Sequence, residues 1–130
     1  MTTLQSIHFA DASLAAALPS MGDAELDALE FGVMGFDAET LVRRYNATES
    51  RLAGLSPQRV LGHPLFTVVA PCMNNFLVAH RFEEAAAAGT ALDETVPYVL
   101  TLRMRPVRVQ LRLLAEPGAA LRYVLVLRPA

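Results

Sequence analysis

The chain predicts an α+β domain organised on one antiparallel sheet, and three observations predict it. Its last third alternates apolar and polar residues in runs of strand length. Its middle is punctuated into short helices by Ser-Pro and Gly signals. Its first thirty residues read as two short helices, the second acidic at its front, with no strand pattern. Helices, two strands, several helices and three strands is an order that closes into one sheet with helices against it.

Element by element, Asp11 is placed to cap a helix over 12–18, and the acidic front of 21–29 suits a second helix N-terminus. Residues 31–36 are apolar and read as a strand. The run Asp37-Ala38-Glu39-Thr40 turns the chain into a second strand over 41–45, and 47–52 predicts a short helix. Ser56 reads as the N-cap of a helix with Pro57 in its first turn and Gly62 after its end. Residues 63–69 continue irregularly to Pro71. The stretch 75–88, with Phe76, Leu77, Ala79 and Phe82 on its apolar side and Gly89 closing it, predicts the longest helix. Strands are expected over 99–104, 107–114 and 121–128. Leu100, Leu102 and Met104 alternate with Thr101, Arg103 and Arg105 in the first of these, and Val107, Val109, Leu111 and Leu113 with Arg108, Gln110 and Arg112 in the second.

With 130 residues, 53% of them hydrophobic, the expectation is one ordered domain over 1–130, divided into a helical cap (1–30) and a sheet-bearing core (31–130). No run approaches the roughly 20 apolar residues that span a bilayer, and Met1–Ser6 leads to Asp11 without the basic start of a signal peptide. A single cysteine with no leader points to the reducing cytoplasm, with no membrane partner. Charge is split along the chain. Residues 1–42 carry seven acids and no Lys or Arg, whereas the remainder carries all eleven arginines against six acids. That split fits an anionic partner for the basic half and equally fits docking of an acidic cap on a basic sheet face. The arginine stripe lacks interleaved stacking aromatics, which argues against nucleic acid.

The chemistry-bearing residues are few. Cys72, in Val68-Val69-Ala70-Pro71-Cys72, has no cysteine partner, and with three scattered histidines it forms no zinc pattern. It is an attachment point or a nucleophile. A small buried core thiol is the plain reading of Cys72 alone, and His80, eight residues on, is most simply a surface histidine rather than its base. Tyr45 and Glu49 lie four apart and upstream, a phenol and a carboxyl able to govern the charge of whatever Cys72 holds.

Three segments carry a resemblance: Asp27-Ala28-Leu29-Glu30-Phe31-Gly32, Tyr45-Asn46-Ala47-Thr48-Glu49, and Val69-Ala70-Pro71-Cys72. With Leu52–Gly62, Phe82, Gly89 and Met104-x-Pro106, they make residues 8–128 resemble the photoactive yellow protein family of bacterial blue-light receptors. The resemblance implies the PAS fold, a central five-stranded antiparallel sheet flanked by helices under an N-terminal helical cap. It implies p-coumaric acid (4-hydroxycinnamic acid) held as a thioester on Cys72, with Tyr45 and a protonated Glu49 hydrogen-bonding the phenolate. It also implies trans–cis isomerisation with proton transfer from Glu49 as the signal. By position Ala53, Leu55, Ala70, Pro71, Leu100, Leu102 and Met104 line the pocket. Four positions depart from the family pattern. A supporting threonine is Ala53, a covering arginine is Leu55, and aromatics on the strand after the long helix are Leu100 and Leu102. The expectation is a sensor rather than an enzyme, a monomer or weak homodimer, acting through a downstream signalling protein that the sequence does not name. The rival is a PAS-type small-ligand or interaction module without the chromophore.

Overall fold

The computed structural model describes residues 7–101 and 106–129. In chain order the elements are α1 (Leu14–Ala17), a 3₁₀ turn Leu18–Ser20, α2 (Asp23–Asp27), β1 (Gly32–Phe36), β2 (Val42–Tyr45), α3 (Ala47–Ala53) and α4 (Pro57–Val60). A π-helical turn Leu65–Val69 and a 3₁₀ turn Pro71–Met73 follow, then α5 (Ala79–Ala88), β3 (Leu92–Leu100), β4 (Val107–Ala115) and β5 (Arg122–Leu127). The five strands form one antiparallel sheet, as expected from the sequence, and their order is β2-β1-β5-β4-β3.

The sheet is buried on both faces because its strands carry apolar residues at alternate positions on each side. On one face Leu111, Leu113, Val124 and Val126 pack with Leu65, Phe66, Val69, Met73 and Phe82 of the central helical segment. On the other, Val33, Leu114, Tyr123 and Leu125 pack under Phe9, Leu14, Leu18, Leu26 and Leu29 of the N-terminal cap. Two of the arginines are used to dock the cap. Arg112, buried on β4, donates from Nη1 to the carbonyls of Phe9 (2.9 Å) and Asp11 (2.7 Å), and its Nε and Nη2 donate to Asp93 at 2.9 and 2.8 Å. Arg44 donates to the carbonyls of Leu18 and Met21. The cap is thus held largely through its backbone carbonyls, with carboxylates secondary.

Several elements differ from their sequence expectation. The strand expected over 99–104 begins at Leu92; its last expected residues, 102–104, lie outside the described residues. Asp93, Glu94 and Pro97 hide the strand pattern, and they are tolerated because β3 is an edge strand, where a missing N–H breaks no ladder. The helix expected from 75 begins at Ala79. Asn75 Oδ1 accepts the N–H groups of Leu77 and Val78 at 3.0 and 3.2 Å, a side-chain turn that competes with helix. Phe76 is therefore left 78% exposed instead of on a buried helical face. Asp11 does not cap α1; its carboxylate accepts the His8 N–H at 2.9 Å. Ser56 precedes α4 with Pro57 first in the helix, but its hydroxyl makes no capping bond among the described residues.

Candidate functional site

Tyr45 ends β2 and Glu49 lies in the first turn of α3, so the pair is set by a strand-to-helix junction rather than by one helical turn. Asn46 makes that junction rigid. It is 1% exposed and uses every polar atom. Its Oδ1 accepts from the N–H of Val33 (2.9 Å) and, as N-cap of α3, from that of Glu49 (3.0 Å). Its Nδ2 donates to the carbonyls of Leu26 (2.8 Å) and Phe31 (3.0 Å). Thr48 Oγ1 donates to the Leu29 carbonyl at 2.6 Å, and the Ala47 N–H to Asp27 Oδ1 at 2.7 Å. The start of α3 is therefore fastened to the cap, and any force on Glu49 is delivered to α2 and to the chain that follows it.

Glu49 itself is 1% exposed, and both its oxygens are taken: Oε1 accepts from Arg128 Nη1 at 2.7 Å and Oε2 from Nη2 at 3.0 Å. On balance burial raises this carboxyl above its ordinary value, with the Arg128 guanidinium pulling against that rise. Gly32 makes the space, since a Cβ there would lie 1.9 Å from Glu49 Oε1. The Tyr45 hydroxyl is buried with no hydrogen-bond partner among the described residues. Burial, and then the negative charge of Glu49, push its pKa up, so Tyr45 stays a neutral donor across the physiological range.

Cys72 is the free thiol of the chain and is partly exposed, in the 3₁₀ turn after Pro71. It borders a groove of about 610 Å³ with Ala53, Leu55, Val68, Val69, Pro71 and Thr101. Of the residues expected to line a pocket, Ala53, Leu55 and Pro71 meet Cys72 there. Ala70 and Leu100 are buried in the core on the same side of the sheet, and Tyr45 belongs to that core as well. Leu102 and Met104 lie outside the described residues. Glu49 connects to the groove through α3, where Ala53 stands one turn further on.

Three participants carry no signal in the sequence pattern. Tyr98 on β3 donates its phenol proton to the backbone carbonyl of Cys72, and Asn75 Nδ2 donates both to Tyr98 Oη (2.6 Å) and to the Cys72 carbonyl (3.2 Å). This clamp holds the cysteine turn against the sheet edge. Arg128, the third, stands at the end of the strand expected over 121–128. His80 faces the carboxylates of Glu83 and Glu84, each 3.6 Å away, and packs edge-on against Phe76. Among the described residues no hydrogen bond joins it to Cys72, and no group of three or more His, Cys, Asp or Glu side chains could hold a metal ion. No described helix is long and apolar enough to cross a membrane.

A five-stranded antiparallel sheet with helices on one face, a helical cap on the other and a lone cysteine at an apolar groove defines a PAS-fold domain. A family model described as PAS fold matches residues 26–130. The chain is 34% identical over 110 residues to photoactive yellow protein of Rhodothalassium salexigens, covering 85% of this chain and 87% of that protein. It is 34% identical over 107 residues to the photoactive yellow protein of Halochromatium salexigens, covering 82% and 85%. Among solved structures it is similar to the photoactive yellow protein domain of the sensor histidine kinase Ppr from Rhodospirillum centenum. That match has a TM-score of 0.78 and 38% identity, and covers 86% of this chain and 97% of that one. A PAS domain from Colwellia psychrerythraea, at 9% identity and TM-score 0.60, shares the fold alone. The chain belongs to the photoactive yellow protein family, a PAS domain of the photoreceptor type.

Proposed function

We propose that this protein is a blue-light receptor that carries p-coumaric acid as a thioester on Cys72. The observation that carries the reading is the partly exposed Cys72 thiol at an apolar groove in a chain of this family. The group fits the residues present: Ala53, Leu55, Val69 and Pro71 give an apolar bed for an aromatic acyl chain. The unpartnered Tyr45 hydroxyl is a buried donor in want of an acceptor. When bound, the p-coumaroyl group supplies visible absorption and trans–cis isomerisation.

The chain's own residues do the rest. Cys72 displaces the leaving group of an activated coumaroyl donor, since a free acid does not acylate a thiol. Tyr98 and Asn75 hold the Cys72 carbonyl and so fix where the sulfur points. Tyr45 donates a hydrogen bond toward the phenolate end, and Glu49, when protonated, supplies a second donor and the transferable proton. Because the start of α3 is bonded to the cap at Leu26, Asp27, Leu29 and Phe31, a change of charge or position at Glu49 loosens the cap. That loosening is the signal, read by a downstream protein in the cytoplasm. The whole of 1–130 acts as one unit, its first thirty residues being the moving cap.

The test is covalent labelling of the purified protein with activated p-coumaric acid, read by intact mass. One adduct, absent in Cys72→Ala, supports the reading; no adduct removes it. A specific observation favours a second reading, a PAS module that takes a non-covalent ligand or a protein partner: Glu49 already has its full set of partners in Arg128. Binding of an uncharged small molecule that is unaffected by Cys72→Ala would support that second reading.

A further inference from the structure

The Glu49–Arg128 pair joins two segments 79 residues apart, α3 and the residue that follows β5. Its geometry is two parallel N–H···O bonds, the arrangement in which a guanidinium recognises a full carboxylate and not a neutral acid. Glu49 is buried, and the Arg128 side chain is only 12% exposed, so the pair is shielded from water. Among the described residues the groups facing Glu49 are few. Tyr45 approaches from β2 and Arg128 from beyond β5, while Arg51 on α3 itself is exposed. Gly32 of β1 brings backbone alone. Among the described residues Arg128 is therefore the cation that answers a negative charge on Glu49.

We propose that Arg128 is a positioning residue that captures Glu49 as a carboxylate, making the pair a two-position element within the photoreceptor site. In one position Glu49 carries its proton and turns toward the Tyr45 side of the site. In the other its carboxyl O–H bond has broken, the proton has formed a new O–H bond on the phenolate oxygen of the p-coumaroyl group proposed on Cys72 (on water in the adduct-free protein), and both freed oxygens are held by the guanidinium. Arg128 keeps its own protons throughout, so the one proton moved is the one that Glu49 gives up and the acceptor gains. The arrangement described above is the second position. Its consequence is that the anion left after proton transfer is not an unpaired charge in the core. It is stabilised at the end of β5, and the state that contains it is long-lived. The functional half of this inference rests on the photoreceptor reading; the protonation half does not.

The deciding experiment is infrared titration of the adduct-free protein, with Glu49→Gln subtracted to assign the Glu49 bands. Expected is an ionised Glu49 at pH 7 in the parent protein and a titration midpoint raised by about 1–3 pH units in Arg128→Gln. A protonated-acid band for Glu49 at pH 7 in the parent protein, or an unmoved midpoint in Arg128→Gln, overturns the assignment. Should Arg128→Gln fail to fold, Arg128→Lys keeps the charge without the fork. It should leave Glu49 ionised with an altered carboxylate stretch, and a parent-like carboxylate stretch there overturns the forked capture. In protein loaded on Cys72, recovery from the bleached state should be at least ~10-fold faster in Arg128→Gln, and unchanged recovery contradicts the capture step. If no adduct forms, the photoreceptor reading fails while the infrared titration still decides the role of Arg128.

Discussion

The phenol of Tyr98 donates to the backbone carbonyl of Cys72, 26 residues away, and ties the cysteine turn to the open edge of the sheet. Asn75 closes the same triangle. Tyr98→Phe keeps the ring and removes the donor. The expected loss is about 1 kcal/mol of stability, the usual net value of one hydrogen bond, because Asn75 still serves the carbonyl. Urea denaturation measures that loss. Acylation of Cys72 should also slow, and an unchanged labelling rate would show that the clamp does not orient the thiol.

Gly32 and Glu49 are sterically coupled. Gly32→Ala places a methyl group 1.9 Å from Oε1 of Glu49, so the carboxylate must leave Arg128. Breaking a buried pair from one side costs about 3–5 kcal/mol. Truncating the carboxyl first, in Glu49→Ala, should remove most of the additional effect of Gly32→Ala, giving a strongly non-additive double-mutant cycle in denaturant midpoints. Additive losses would mean the glycine serves the backbone and not the side chain.

Arg112 holds the cap by donating to Phe9 and Asp11 carbonyls. Arg112→Ala leaves those carbonyls unserved, with an expected loss of about 2–3 kcal/mol, hydrogen bonds to charged groups being the stronger kind. Limited proteolysis should then cut preferentially within the first thirty residues while the sheet survives. A globally unfolded variant would instead show that the cap is not a separable layer.

The same arginine sets an acid dependence. Its guanidinium holds the Asp93 carboxyl below its ordinary value of 3.8. A depressed carboxyl contributes stability that is complete above the unfolded value and is lost as pH falls through the lower folded one. Stability should therefore be flat from neutrality down to about pH 5 on account of this pair and decline below about pH 4, less steeply in Asp93→Asn. Because Asp93 is largely solvated, the difference should be small and should shrink in high salt. Urea midpoints measured from pH 3 to 7 would show it.

Much of this architecture is legible in the chain. β4 declares itself through alternation over 107–113 and β5 through a short apolar run, and Gly54, Gly62 and Gly89 close helices or turns with positive φ where a side chain would be strained. Local patterning fails where a side chain or an edge position decides. Asn75 diverts the residues before α5 by bonding Leu77 and Val78, and β3 carries acids and a proline that only an outermost strand accepts. At the site, Tyr45, Glu49 and Cys72 are readable as residues, but the partner of Glu49 is not. Arg128 lies at the far end of the chain, and no periodicity links it to α3. Gly32 was the one local clue, a glycine at the start of a strand that needs no turn, marking the close approach of another side chain.

The central claim is tested most directly by the absorption spectrum of protein loaded with p-coumaric acid on Cys72, recorded before, during and after blue light. The account predicts a band strongly red-shifted from that of a simple thioester, which bleaches under illumination and returns in the dark. The red shift should be lost in Tyr45→Phe/Glu49→Gln. A loaded protein whose band matches an unburied thioester, or whose colour is inert to light, would contradict it.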